Sequence, residues 1–158
     1  VITFNFEVDE RRRTYYNETG HWVHWYNYGR YPAYAIAVRR DAILKANVTY
    51  SLLYGGGAKY SNGEDSLFLH DCLKKGLRIY ADTALLGKEV YRQSTWFSGY
   101  HEKFFLDRGV LYHDLYGCMA KLFSIRFLWS NRKEMLTTIN FRTAYGLMKQ
   151  GIREGKLR

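Results

Sequence analysis

The spacing of apolar residues changes character near Ser98, and that change limits the folds open to this chain. Before it, apolar and polar residues alternate in short stretches, as half-buried strands require. Ile2, Phe4 and Phe6 alternate with Thr3 and Asn5. A short strand is expected at His21-Trp22-Val23-His24-Trp25 and others at Ala33 to Val38 and Leu77 to Ala81. Asn27-Tyr28-Gly29-Arg30-Tyr31-Pro32 punctuates the chain as a turn, and Arg39 to Ala46 reads as a short helix that Asn47 stops. Beyond Ser98, Tyr112, Leu115, Tyr116, Met119, Leu122, Phe123 and Arg126 recur at spacings of three and four. Met135, Ile139, Arg142 and Leu147-Met148 suggest a last helix before Gly151. The order predicts a mixed α/β fold, with strands and one mid-chain helix in residues 1–98 and a helical region in 99–158.

At 158 residues with 47% apolar and 25% charged side chains, the chain can bury a real core and is not of disordered composition. No internal repeat is visible. The formal charge is +9, and residues 100–158 hold eleven basic against five acidic side chains. That excess suits an anionic neighbour such as phosphate, nucleic acid or an acidic membrane surface, and equally a solvated basic face. Two cysteines, Cys72 and Cys118, make neither a disulfide framework nor a CxxC pair, so a reducing compartment fits best. Asn17-Glu18-Thr19 and Asn47-Val48-Thr49 match the glycosylation sequon, a pattern that often arises by chance. No apolar run reaches the roughly 18–20 residues that span a bilayer, and no signal peptide is visible. Opening on Val1 inside an alternating stretch, the chain reads as a piece of something longer.

The chemistry concentrates at Gly55-Gly56-Gly57-Ala58-Lys59-Tyr60-Ser61-Asn62-Gly63-Glu64-Asp65. Three glycines permit backbone conformations closed to other residues and leave room for a ligand near the main chain. No GK[ST] or GxGxxG follows, so this is not a phosphate-cradling loop of those types. Glu64 and Asp65 fall in the first turn of a helix that runs to Lys74-Lys75-Gly76, where basic residues and glycine suit a C-terminus. Acidic residues in a first turn complement the helix dipole, which is reason enough for their presence. The functional alternative is that one of them accepts a proton from a substrate hydroxyl. Adjacent helical residues point about 100° apart, so the two serve different neighbours.

Gly55-Gly56-Gly57-Ala58-Lys59-Tyr60 followed by Gly63-Glu64-Asp65-Ser66-Leu67-Phe68 resembles the acceptor loop and ED motif of family 2 glycosyltransferases with the GT-A fold. The likeness extends through Leu73-Lys74-Lys75-Gly76-Leu77-Arg78-Ile79-Tyr80 and Ser94-Thr95-Trp96-Phe97-Ser98-Gly99-Tyr100, and is best between residues 27 and 117. It implies the C-terminal part of a Rossmann-like GT-A mixed sheet, followed by a basic, aromatic helical tail. It also implies an inverting transfer from a nucleotide-sugar to an acceptor hydroxyl, as in cell-envelope polysaccharide assembly. Asp65 would be the general base and Glu64 its supporting neighbour. Gly55, Gly56, Gly57, Lys59, Tyr60 and Ser61 would line the acceptor side. A divalent metal, Mn or Mg, would offset charge on the departing diphosphate. Family members hold that metal with an Asp-x-Asp motif in a nucleotide-binding half, and this sequence has no Asp-x-Asp. The resemblance therefore implies an acceptor-side portion, inactive alone.

Arg92, Ser94, Thr95 and Trp96 stand about where processive relatives hold a Gln-x-x-Arg-Trp motif, and would contact diphosphate or acceptor. His101 is a candidate metal ligand, since a downstream histidine completes the metal shell in some GT-A enzymes. The tail aromatics Phe104, Phe105, Tyr112, Tyr116, Phe123, Phe127 and Trp129, with Lys121, Arg126, Arg132 and Lys133, would suit helices lying on an anionic membrane. The partners implied are a nucleotide-sugar and a saccharide or lipid-linked acceptor, at the cytoplasmic face of a membrane. A non-catalytic nucleic-acid-binding or membrane-surface module is the alternative. The first of these has basic and aromatic composition in its favour but none of the recognised nucleic-acid motifs, so nucleic acid is not the expected partner.

Overall fold

The computed structural model describes residues 1–9, 13, 15–90 and 99–158. The chain divides into two compact units: Val1–Ser51 with Glu64–Gln93, and Leu52–Gly63 with Ser94–Arg158. The first holds a four-stranded mixed sheet and the second is helical. The stretch 52–63 thus groups with the helical tail, whereas the change of apolar spacing put one boundary near residue 98.

In the sheet unit the strands are β1 (Ile2–Glu7), β2 (His21–Val23), β3 (Ile36–Ala37) and β4 (Ile79–Lys88), in the order β2-β4-β1-β3. β1 runs parallel to β4, with Ile2 opposite Tyr80 and Thr3 opposite Ala81, and the register shifts twice beyond Thr3. β2 and β3 pair antiparallel to β4 and β1. Residues Ala33–Ala35 form a 3-10 turn after Pro32, leaving only two residues of the expected strand. β4 extends to Lys88, well past Ala81.

β1 buries its polar face. Thr3 and Asn5 are enclosed, while Ile2 is exposed. The Thr3 hydroxyl has no hydrogen-bond partner among the described residues, whereas Asn5 is satisfied through Asn17. Asn17 N–H donates to Asn5 Oδ1 at 2.8 Å, and Asn5 Nδ2 donates to the Asn17 and Thr83 carbonyls at 3.0 and 3.1 Å. Asn17 Nδ2 reaches the Asp82 carbonyl at 3.1 Å. Satisfied in this way, buried amides hold loop and strand together without an unpaired polar penalty. The same burial takes the Asn17 sequon out of reach.

Helix α1 (Arg40–Ala46) ends on Asn47, which adopts the left-handed conformation at φ 51°. Val48 N–H closes a six-to-one bond on the Ile43 carbonyl, the Schellman arrangement in which asparagine can replace glycine. α2 (Glu64–Lys74) ends the same way at Gly76, φ 78°, with Leu77 N–H on the Cys72 carbonyl. It buries Leu67, Phe68, Leu69 and Cys72.

The helical unit contains α3 (Glu102–Tyr116), α4 (Ala120–Ser130), α5 (Arg132–Met135) and α6 (Phe141–Lys156). The three-four spacing that seemed continuous from Tyr112 to Arg126 is broken at Gly117–Met119, a 3-10 turn starting with Gly117 at φ 53°. α6 continues through Gly151 instead of ending before it. Gly151 is there for closeness: a Cβ would stand 2.0 Å from the Leu106 carbonyl oxygen, and one on Gly109 would stand 2.2 Å from that of Met148. α3 and α6 therefore meet backbone to backbone. Phe104, Phe105, Leu128, Ala144 and Met148 form the adjoining core, so the first two tail aromatics are core residues, not membrane contacts. Among the described residues no helix is long and apolar enough to cross a membrane.

Candidate active site at a carboxylate pair

Asp65 sits in the first turn of α2, as its position after Asn62-Gly63 predicts. Its Oδ2 accepts the Ala33 N–H at 2.9 Å. Its Oδ1 is buried and has no hydrogen-bond partner among the described residues. The Tyr50 hydroxyl lies close enough to act on the carboxylate as a hydrogen-bond donor that favours its ionised form, yet it completes no bond of ordinary geometry to Oδ1. Tyr50 is positioned by stacking flat on Phe68, with ring centres 4.4 Å apart.

These surroundings set the proton affinity. The first-turn amides of a helix favour the ionised carboxylate, but burial opposes them, and the adjacent Glu64 charge adds to burial. Together they push Asp65 up to about 6. Burial, then the Asp65 and Glu64 charges, push Tyr50 up to about 12, so it stays a neutral hydroxyl. A carboxylate titrating near neutrality, with one oxygen unsatisfied, is what a general base requires. Sequence reasoning named Asp65 and Glu64 but missed Tyr50, which no spacing rule links to them.

The glycine stretch belongs to the helical unit. Gly55 and Gly57 occupy positive φ, at 111° and 81°. Tyr60 is buried, and its hydroxyl donates to Glu154 Oε1 at 2.8 Å, which also receives Lys59 Nζ at 2.8 Å. Those two bonds hold the Glu154 carboxyl below its usual range. Ser61 N–H donates to Asp107 Oδ2 at 2.9 Å, and Lys103 Nζ reaches the same oxygen at 2.6 Å. Tyr54 donates to Asp114 Oδ2 at 2.7 Å. Burial alone would raise Asp114, but hydrogen bonds from Tyr54, Arg158 and His113 outweigh it and hold the carboxyl low. Lys59, Tyr60 and Ser61 therefore fasten the loop to α3 and α6, while Gly56 and Gly57 stay exposed. The acidic anchors Asp107, Asp114 and Glu154 gave no sequence signal that tied them to this loop. A cleft of about 410 Å³ opens beside it, lined by Lys59, Tyr60, Lys103, Asp107, Gln150 and Glu154 among others.

His101 immediately precedes α3 and is exposed. Among the described residues no group of three or more His, Cys, Asp or Glu side chains could hold a metal ion. His101 thus has no ligand company there, and these residues do not fit a complete metal site. Arg92, Ser94, Thr95 and Trp96 lie outside the described residues. The sheet unit also carries an open concavity of about 840 Å³ lined by Val1, Trp22, Val38, Arg39, Leu77 and Arg78 among others, and no candidate catalytic residue lines it. The chain matches no family model, no curated protein and no solved structure.

Proposed function

We propose that this chain is the acceptor-side portion of an inverting, GT-A glycosyltransferase of family 2, with Asp65 as general base. The observation that carries the reading is the Asp65 carboxylate, pushed up to about 6 with Oδ1 buried and unpartnered. Asp65 removes the proton of an acceptor hydroxyl as the hydroxyl oxygen bonds to the anomeric carbon of a nucleotide-sugar. The bond from that carbon to the diphosphate oxygen breaks, and its electron pair leaves with the diphosphate. Attack from the opposite face inverts the anomeric centre. Glu64 keeps Asp65 basic by charge repulsion, and the Ala33 amide holds it in place. Metal and donor-binding groups belong, on this reading, to a nucleotide-binding half outside these 158 residues, and the location is the cytoplasmic face of a membrane.

The test is made on a gene product that carries both halves. Asp65→Asn removes the base without changing its shape, so transfer from nucleotide-sugars should fall by about a hundred-fold or more, with nucleotide binding unchanged. Turnover that survives the substitution contradicts the assignment.

A second reading, a membrane-surface module, draws on α4. Leu122, Ile125 and Trp129 are 61%, 42% and 63% exposed at positions i, i+3 and i+7. Exposed Lys121, Arg126, Arg132 and Lys133 accompany them, the pairing of apolar stripe and basic flank that binds anionic bilayers. Flotation with anionic but not neutral vesicles is the expected result; no flotation with either refutes it.

A further inference from the structure

Arg108 stands in the middle of α3 without a counter-ion among the described residues. Its guanidinium carbon lies 5.2 Å from the ring centres of both Phe104 and Phe127, and Nε is buried with no hydrogen-bond partner among the described residues. The nearby carboxylates are engaged elsewhere: Asp107 with Lys103 and the Ser61 amide, Asp114 with Tyr54, His113 and Arg158, Glu134 with the Tyr100 hydroxyl. Arg108 is only partly exposed; withdrawing part of a cation from water without a partner is costly, and stacking on aromatic faces offsets only part of that. Burial lowers the proton affinity of Arg108, yet guanidinium stays charged in proteins.

The surroundings add a second cation and a donor. Tyr112, one turn along α3, packs edge to face on Phe127 and Tyr116 with ring centres 5.6 and 5.1 Å away. Arg108 and Arg126 both act on Tyr112 electrostatically, and burial pushes its hydroxyl up to about 12, so it remains a neutral donor. Arg126 is exposed and has no ion pair among the described residues. Two guanidinium groups and a hydroxyl with no balancing acid among the described residues match a dianion better than a single carboxylate, and guanidinium forks bind phosphoryl oxygens in pairs.

We propose that Arg108, Arg126 and Tyr112 form a phosphoryl-binding site in the helical unit, with Arg108 held in place by the Phe104 and Phe127 rings. Its ligand is a phosphomonoester or diphosphate group, from a soluble molecule or from a lipid headgroup. The site does not depend on transfer chemistry at Asp65.

The experiment titrates the full chain at low salt with inorganic pyrophosphate, by calorimetry. A parallel arm uses phosphatidylcholine vesicles with and without phosphatidic acid, by co-sedimentation. Arg108→Met keeps a long apolar stem between the rings while removing the charge. Binding in either arm that weakens about ten-fold or more in Arg108→Met supports the site, and the responsive arm identifies the source of the phosphoryl group. Should Arg108→Met fail to fold, the double variant Arg126→Gln with Tyr112→Phe must show the same loss. Binding that is unchanged in the folded variant, or absent from both arms in the unaltered chain, overturns the proposal.

Discussion

The sheet unit and the helical unit solve the burial problem in opposite ways. The sheet unit encloses polar groups, and two asparagines on β1 and the loop after it satisfy one another and the neighbouring backbone. The helical unit removes side chains where α3 meets α6, so that backbone packs on backbone. The first arrangement tolerates an unsatisfied carboxylate oxygen at Asp65. In the second, the polar groups that remain inside are tethers of the glycine loop, such as the buried Asp107, and Arg108 between its rings. Reactive character in the sheet unit comes from incomplete satisfaction, and in the helical unit from incomplete charge balance.

The sharpest way to break this contrast is at the glycines. Gly151→Ala puts a methyl group against a carbonyl oxygen that cannot swing aside, so the α3–α6 contact must open. A loss of about 3 kcal/mol is expected in urea unfolding followed at Trp129. A loss below 1 kcal/mol would mean that the helices do not pack this closely. Asn17→Ala keeps the backbone bonds to Asn5 but leaves the Asp82 carbonyl without its side-chain donor and the Tyr31 hydroxyl without its acceptor in the sheet unit. It should cost about 1–3 kcal/mol, read from amide exchange along β1 and β4 and leaving α3 and α6 unaffected.

Asn140 gives a smaller effect. Its side chain caps α6 by accepting the Thr143 N–H at 2.9 Å, and Asn140→Ala should cost about 1 kcal/mol. Asp65→Asn is expected to stabilise. The folded protein holds Asp65 at about 6 against an ordinary 3.8, so it binds more protons than the unfolded chain between those values. Stability therefore falls as pH rises through that window, and the deficit is complete above it. The group is only half-buried, which solvent screening discounts to about 1 kcal/mol. Asp65→Asn should recover that amount at pH 8 and nothing below pH 4, in matched denaturation curves.

What was legible in the sequence were the local signals. Asn47 and Gly76 stop their helices because each can take the left-handed conformation that the final turn needs, and Glu64-Asp65 marks the start of α2. The alternation of β1 gave the strand but not its buried side, since which face lies inward depends on partners as distant as Asn17 and Thr83. Gly151 looked like a terminus because glycine is a common helix stop; its packing role depends on α3, which no local rule sees. The carboxylate pair was found by residue type, whereas Tyr50, which shares its surroundings, was not. The tethering of Lys59, Tyr60 and Ser61 to Asp107 and Glu154 joins residues 46 or more positions apart, beyond any periodic pattern.

The central claim, that Asp65 is a base poised near neutrality, is tested most directly by following its side-chain carboxyl carbon in an NMR pH titration of the folded chain. A midpoint near 6, moving down when Glu64 is replaced by Gln, is the expected result. A midpoint near 4, unmoved by Glu64→Gln, would contradict it and leave Asp65 as an ordinary first-turn carboxylate.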